Sequence, residues 1–339
     1  MDRSSADSYV YAKACGMYSR SYVGPRARKL FEAKRLQDLW SLLYNEEPPL
    51  VPEGLLALLL ERKSEEQMVQ DYITLLSAYD TPDPLSLSFL SLYDYNNLKS
   101  ASAQAALGKP ERPFMIDTSP FSLFDTDAWP DIGAMTQASP VSWYNRVPSG
   151  DDQIDWETKL DHEYYHTLWK SFSSLGKKDR QSVEDLVTDE IILQNIVWAL
   201  RLKVYYQKSP EEIFPQLACY DEQAPVSDVL CQAAMEAASK PIDDWNAWAG
   251  WKYSWLCNHH DEGVPWTIDP RWAQLSADRY LFKKALSKFH QAPFTVGVLV
   301  SFFKIKQLEE QMIRVAAEGL RLGATDSQMN DFMGDGRDA

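Results

Sequence analysis

From Phe302 to Gly323 the chain reads F-F-K-I-K-Q-L-E-E-Q-M-I-R-V-A-A-E-G-L-R-L-G, with Ile305, Leu308, Met312, Val315, Ala316 and Leu320 recurring at helical spacing. Lys306, Glu309, Glu310, Arg314 and Glu318 fill the positions between them. The pattern predicts a long amphipathic helix with a solvated charged side. Glu310 stands four residues before Arg314, the supportive orientation for an exposed pair, and Gly323 is placed to cap the C-terminus.

The same phase occurs twice earlier. Asn96-Asn97-Leu98-Lys99-Ser100-Ala101, Gln194-Asn195-Ile196-Val197-Trp198-Ala199 and Gln311-Met312-Ile313-Arg314-Val315-Ala316 share an amide, an aliphatic residue two positions on, and an alanine three further. A shift of 117 residues carries the second copy onto the third and pairs Asp161 with Asp278 and Phe172 with Phe289. The agreement of hydrophobic phase with spacing predicts a triplicated helical unit. Asn is a poor residue for a helix interior, so Asn96, Asn97, Gln194, Asn195 and Gln311 point to specific hydrogen bonds, inside each bundle rather than toward a shared centre.

Along the rest of the chain, helices are predicted over residues 8–22, 26–44, 53–78, 85–107, 156–172, 178–206 and 271–289, punctuated by Gly24-Pro25, Pro48-Pro49, Pro82-Asp83-Pro84 and Pro293. Residues 108–152 differ. Pro110, Pro113, Pro120, Pro130, Pro140 and Pro148 forbid a long helix there, while runs such as Phe121-Ser122-Leu123-Phe124 require something to pack against. The expected organisation is all-α: a helical repeat at 1–107, a Pro-rich connection at 108–152 lying against a domain, repeats at 153–222 and 223–330, and a frayed tail at 331–339.

A chain of 339 residues with 12 Trp, 17 Tyr and 13 Phe can build more than one core. Its net charge of −15 argues against nucleic acid and anionic lipid as broad partners. No stretch is apolar enough for a membrane span, and the first residues lack the apolar core of a signal peptide, so a cytoplasmic protein is expected. Cys15, Cys219, Cys231 and Cys257 follow no disulfide framework. They are expected to be separate, small buried hydrophobes in a reducing compartment.

Three clusters could carry chemistry. His162-Glu163-Tyr164-Tyr165-His166 is an H-E-x-x-H, which on a helix sets two imidazoles on one face with a carboxylate beside them, and Glu184, Asp185 or Glu190 could complete a zinc site. The repeat register puts Arg279, Tyr280 and Lys283 at the equivalent positions, which favours a solvated helix face. A helical zinc hydrolase with ligands His162 and His166 and base Glu163 is kept as the alternative. His259-His260-Asp261-Glu262 reads as a helix terminus rather than a metal site, because adjacent helical residues point about 100° apart. Trp245, Trp248, Trp251 and Trp255 form one aromatic helix face, read as bundle core before partner surface. No P-loop, GxGxxG or nucleophile elbow is present, and no cofactor is expected.

The last helix resembles the C-terminal signature of the C-subunit family of V-type and A-type ATPases (the d subunits of eukaryotes), roughly K-E-x-E-I-R-N-I-R, which Lys306, Glu309, Ile313 and Arg314 match. Asn195-Ile196 with Arg201 and Lys203, Asn97-Leu98-Lys99, Tyr9-Val10-Tyr11-Ala12-Lys13-Ala14 and Arg26-Ala27-Arg28-Lys29-Leu30 are similar to its earlier repeats and opening helices. Gln307, Met312 and Thr295-Val296-Gly297-Val298 depart from it. The resemblance implies three similar helical bundles in a funnel about a pseudo-threefold axis. It also implies a non-catalytic subunit between the central stalk and the membrane rotor ring of a rotary ATPase moving protons or sodium.

Overall fold

Among the described residues of the computed structural model, 2–150, 152–220, 228–261 and 263–324, every regular element is a helix and no strand forms. In chain order come α1 (Arg3–Tyr18), α2 (Arg28–Glu32), α3 (Leu36–Tyr44), α4 (Glu53–Leu76), α5 (Pro84–Ala106), α6 (Ile132–Thr136) and α7 (Gln153–Ser173). They are followed by α8 (Lys177–Tyr206), α9 (Pro210–Ile213), α10 (Gln232–Ser239), α11 (Asn246–Ala249), α12 (Pro270–Gln291) and α13 (Gly297–Leu322). The chain is all-α, as its periodicity predicts. The expected frayed tail and Glu262 lie outside the described residues. The chain forms two compact units, one of Met1–Pro82, Ile116–Thr118 and Phe289–Ala339, the other of Asp83–Met115 and Ser119–Lys288.

Local signals fix several ends. Asp83 caps α5 by accepting the Ser86 N–H at 2.9 Å, with Pro84 in the first helical position. Gly323 ends α13 at φ 67, in the left-handed region, and the following Ala324 N–H returns to the Gly319 carbonyl at 2.8 Å. Other expectations need correction. Residues 26–44 are not one helix: a 3₁₀ turn at Gly24–Ala27 leads into α2, and Ala33 turns extended before α3. Leu30 and Leu36 are both buried, yet in a continuous helix residues six apart point about 120° away from each other, so the break lets both reach the same core.

In the first unit α13 packs along α4. Leu39, Trp40, Leu56, Leu60, Ile313, Ala316 and Ala317 close a core between α3, α4 and α13. The buried stripe of α13 is rotated from the predicted one. Phe302, Ile305, Lys306, Glu309, Ile313 and Ala316 are buried, whereas Leu308, Met312, Val315 and Leu320 are only half-buried. The helix also starts earlier than expected, and from Gly297 to Lys306 it is buried on every side. Two charged residues of the predicted solvated side therefore lie inside the protein.

In the second unit α5 packs on α7, α7 on α8, and α8 on α10. Polar ties fix these pairings: Ser88 and Ser171 share a hydroxyl–hydroxyl bond at 2.9 Å, and Lys99 pairs with Asp161 at 2.5 Å. Tyr280 donates to Asp189 of α8 at 2.7 Å, and Lys288 pairs with Asp185 at 3.1 Å. The Pro-rich connection rests on α5, with Val141 and Tyr144 buried, the Tyr144 hydroxyl on Ser102 at 2.9 Å, and the Leu123 N–H on Asp94 at 3.2 Å. The tryptophan series is not a single helix face. α11 lasts one turn, a 3₁₀ turn follows at Ser254–Leu256, and Gly250 stands between them. Trp248 and Trp251 are core, Trp248 donating its indole N–H to the Pro241 carbonyl at 2.7 Å, while Trp255 is exposed and leans on Tyr280 with ring centroids 4.9 Å apart.

Because Ile313 fills the core between α3, α4 and α13, Ile313→Ala is expected to cost about 2–4 kcal/mol, read as a lower urea midpoint with an unchanged m-value, whereas Met312→Ala should cost under about 1.5 kcal/mol.

Candidate functional site

Lys306 and Glu309 of α13, two of the residues singled out in the sequence, meet α4 and the segment after α1 at a buried ionic row. Lys306 is hydrogen-bonded to Glu309, three residues on, and lies 3.4 Å from the Asp71 carboxylate of α4. The other oxygen of Glu309 accepts the Tyr22 backbone N–H at 2.6 Å, across 287 residues of sequence. Side-chain exposure of Lys306 and Glu309 is 11% and 8%, so this is an interior pair whose charges are compensated locally. Two residues before Lys306 the Lys304 ammonium donates to Gln307 at 2.8 Å. A cavity of about 340 Å³ opens beside the row, lined by Arg20, Lys63, Asp71, Lys306, Glu309 and Glu310 among others.

Beyond the row, acid outnumbers base. Arg314 bonds Glu310 at 2.6 Å, the i,i+4 pair expected on an exposed face, but the Glu310 side chain is only 11% exposed. Burial pushes the Glu310 carboxyl up to about 7, Arg314 opposing the rise and Glu65 and Glu61 adding to it. Glu65 and Glu61 on α4 are themselves raised, first by burial and against the pull of Arg314. All three carboxylates feel the Arg314 guanidinium, and Glu61 feels Arg321 as well.

The amide positions divide in the same way. Asn96 and Gln311 are exposed and Gln194 half-buried, whereas Leu98, Ala101, Ile196, Ala199, Ile313 and Ala316 are buried in all three copies. Asn97 is buried on α5. Asn195 is fully buried on α8 and acts as a clamp: its Nδ2 donates to the Ala218 and Leu230 carbonyls at 3.0 and 2.9 Å, and its Oδ1 accepts the Ala218 N–H at 2.8 Å. Following it on α8, Lys203 bonds the Ala238 and Lys240 carbonyls, and burial lowers its ammonium pKa. The chain segments held by Asn195 carry Cys219 and Cys231, which form a disulfide with Cα atoms 5.6 Å apart. That corrects the expectation of four separate thiols. A 12-residue spacing carries no signature of its own, because the bridge depends on the fold-back that Asn195 secures.

His162 and His166 lie on α7 and line a second cavity of about 730 Å³, with Tyr165, Trp169, Tyr220 and Cys219. His166 stacks on Tyr220 at 6.3 Å rather than facing a carboxylate. Among the described residues no third His, Cys, Asp or Glu donor gathers with these two within 4.8 Å, and Asp185, one of the expected third ligands, is paired with Lys288. The zinc-hydrolase alternative has no support in this geometry. His259 pairs with Asp261 at 3.0 Å and His260 stacks on Trp245, both beyond the 3₁₀ turn and not at the end of an α-helix. Cys219, Asp228 and Cys231 do gather their ligand atoms within 4.8 Å, a cluster no spacing rule singled out.

Two outcomes follow from these contacts. Glu310 is accommodated best when protonated, so its contribution to stability is greatest below about pH 4.5, falls as pH rises toward 7 and is level above. Glu310→Gln is therefore expected to raise stability by about 1–3 kcal/mol at pH 8 and to leave it nearly unchanged at pH 4.5, measured by urea denaturation at both values. Asn195→Ala strips partners from three buried backbone groups and is expected to cost about 2–5 kcal/mol, with faster amide exchange at Ala218 than in the parent protein.

Comparison with known proteins places this geometry. Residues 10–332 match the family model of the ATP synthase (C/AC39) subunit. A protein of Treponema pallidum (strain Nichols), itself described only as uncharacterized, is 32% identical over 338 residues, covering 99% of this chain and 98% of its own. With a family match that runs nearly end to end over an all-helical chain, the protein belongs to the C/AC39 family of V/A-type ATP synthase subunits.

Proposed function

We propose that this chain is a non-catalytic coupling subunit that joins the central stalk to the membrane rotor ring of a V/A-type rotary ATPase, supporting proton or sodium transport. The observation that carries the reading is the family match across residues 10–332. Other features agree with it. No helix of the described residues is long and apolar enough to cross a membrane, so contact with a membrane ring would be peripheral, from the cytoplasmic side. The net charge of −15 suits basic protein partners better than nucleic acid or anionic lipid. The reading brings with it three similar bundles in a funnel, corresponding to 1–107, 153–222 and 223–330, with 108–152 as connection.

A part that carries torque must not yield at its own helix contacts. The ionic row of Lys306, Glu309 and Asp71 and the clamp of Asn195 are proposed to serve that need, as stiff struts behind the docking surfaces, with Ile313 packing α13 and Asn97 buried on α5. Separating a desolvated pair leaves a buried charge uncompensated, which costs about 3–5 kcal/mol, so such contacts resist sliding more than apolar ones of equal area.

Co-expression with the cognate stalk and ring subunits is expected to give a stoichiometric complex. In membrane vesicles, removal of this chain should leave ATP hydrolysis by the catalytic head largely intact and lower ATP-driven ion uptake by at least about tenfold. Failure to associate with either the stalk or the ring overturns the proposal.

A further inference from the structure

Cys219, Asp228 and Cys231 bring two sulfurs and a carboxylate oxygen within 4.8 Å of one another in a half-buried to buried setting. The environment has the supporting shell that metal sites use. Asp228 is oriented by the Tyr220 and Leu230 backbone N–H groups, both of which it accepts. The Cys231 sulfur lies 3.8 Å from the Asn195 amide nitrogen, whose two N–H groups bond the Ala218 and Leu230 carbonyls. Asn195 meanwhile holds the backbone beside both cysteines, through Ala218 and Leu230. These contacts hold Cys231, Asp228 and the backbone beside both cysteines without help from the S–S bond itself.

We propose that reduction of the Cys219–Cys231 disulfide converts this cluster into a binding site for a thiophilic divalent cation, zinc, with the two thiolates and Asp228 as protein ligands and a water in the fourth position. Reduction by a phosphine adds two electrons to the S–S bond, the phosphine takes up the oxygen of water, and each sulfur receives a proton. Zinc then displaces those two protons, leaving two thiolates and a carboxylate around one dication. Tetrahedral zinc with bonds of about 2.3 Å to sulfur needs the sulfurs roughly 3.8 Å apart, a separation that side-chain rotation supplies from Cα atoms 5.6 Å apart. Thiolates select zinc over magnesium or calcium. Access is open as well: Cys219 lines the 730 Å³ cavity, so reductant and metal reach it from solvent.

The test uses the full chain, reduced with a phosphine, desalted without oxygen and titrated with Zn²⁺ against a chromophoric chelator. About one equivalent per chain is expected for the reduced protein and less than about a tenth of one for the oxidised protein. Cobalt in place of zinc should give a thiolate-to-metal charge-transfer band in the reduced protein alone. Zinc should also protect Cys219 and Cys231 from alkylation, read by peptide mass spectrometry, while leaving Cys15 reactive. Asp228→Asn should weaken binding about tenfold to a hundredfold. A reduced parent protein that takes up less than about a tenth of an equivalent, or whose Cys219 and Cys231 alkylate equally with and without zinc, overturns the site. Unchanged affinity in Asp228→Asn overturns the three-ligand assignment.

Discussion

The pairing of α4 with α13 depends on how one largely buried ammonium is accommodated. Lys306 sits in a helix segment buried on every side, and an ammonium there without partners would carry an uncompensated desolvation cost. Glu309 on its own helix and Asp71 on α4 supply those partners. Such an arrangement is poor evidence of net stability, since a well-packed apolar replacement can be as stable or more so. Its value lies in register. The lysine meets Asp71 only at one axial position and one rotation of α13 about α4, and the Tyr22 N–H on Glu309 adds a second point. The apolar contacts of Ile313, Ala316 and Ala317 then fall into place around that alignment.

Further along α13 the same helix carries an imbalance instead. Glu310, Glu65 and Glu61 gather around Arg314, and burial raises all three carboxyls. The contrast between a compensated pair and an acid-rich cluster a few residues away shows why pattern alone misjudged this helix. Both sets of residues are charged at helical spacing in the sequence, yet one set is structural and buried, and the other is partly exposed and responsive to pH.

Much of the fold was readable where a single local interaction decides it. Asp83-Pro84 opens α5 and Gly323 ends α13 because capping depends on the residues at the boundary and little else. The break after α2 was not readable, since nothing at Ala33 forbids a helix, and it is the shared demand of Leu30 and Leu36 for one core that imposes it. The tryptophan series misled for the related reason that a spacing of three, three and four suits a helix, while Gly250 and the Trp248 bond to Pro241 settle a tighter path. At the candidate site, Lys306, Glu309, Ile313 and Arg314 were legible through the signature of the family. Their partners Asp71, Tyr22, Glu61 and Glu65 were not, because no sequence feature links positions so distant, and Asp228 was missed because its spacing from Cys219 and Cys231 matches no ligand motif.

One consequence reaches back to how the protein is made. The first unit is assembled from the opening 82 residues and the segment from Phe289 on, while the second unit is, apart from the residues 116–118, the stretch between. During synthesis α4 leaves the ribosome with Asp71 and its core-facing leucines lacking their counterpart, and it waits for some two hundred residues of intervening chain before α13 arrives. The second unit can complete itself in that interval, since its helices are close together in sequence, whereas the first must remain open until the last helix is released. The signature helix is thus the closing piece of its unit in time as well as in space, and a nascent chain stalled before it would present an unclosed α4 to chaperones and proteases.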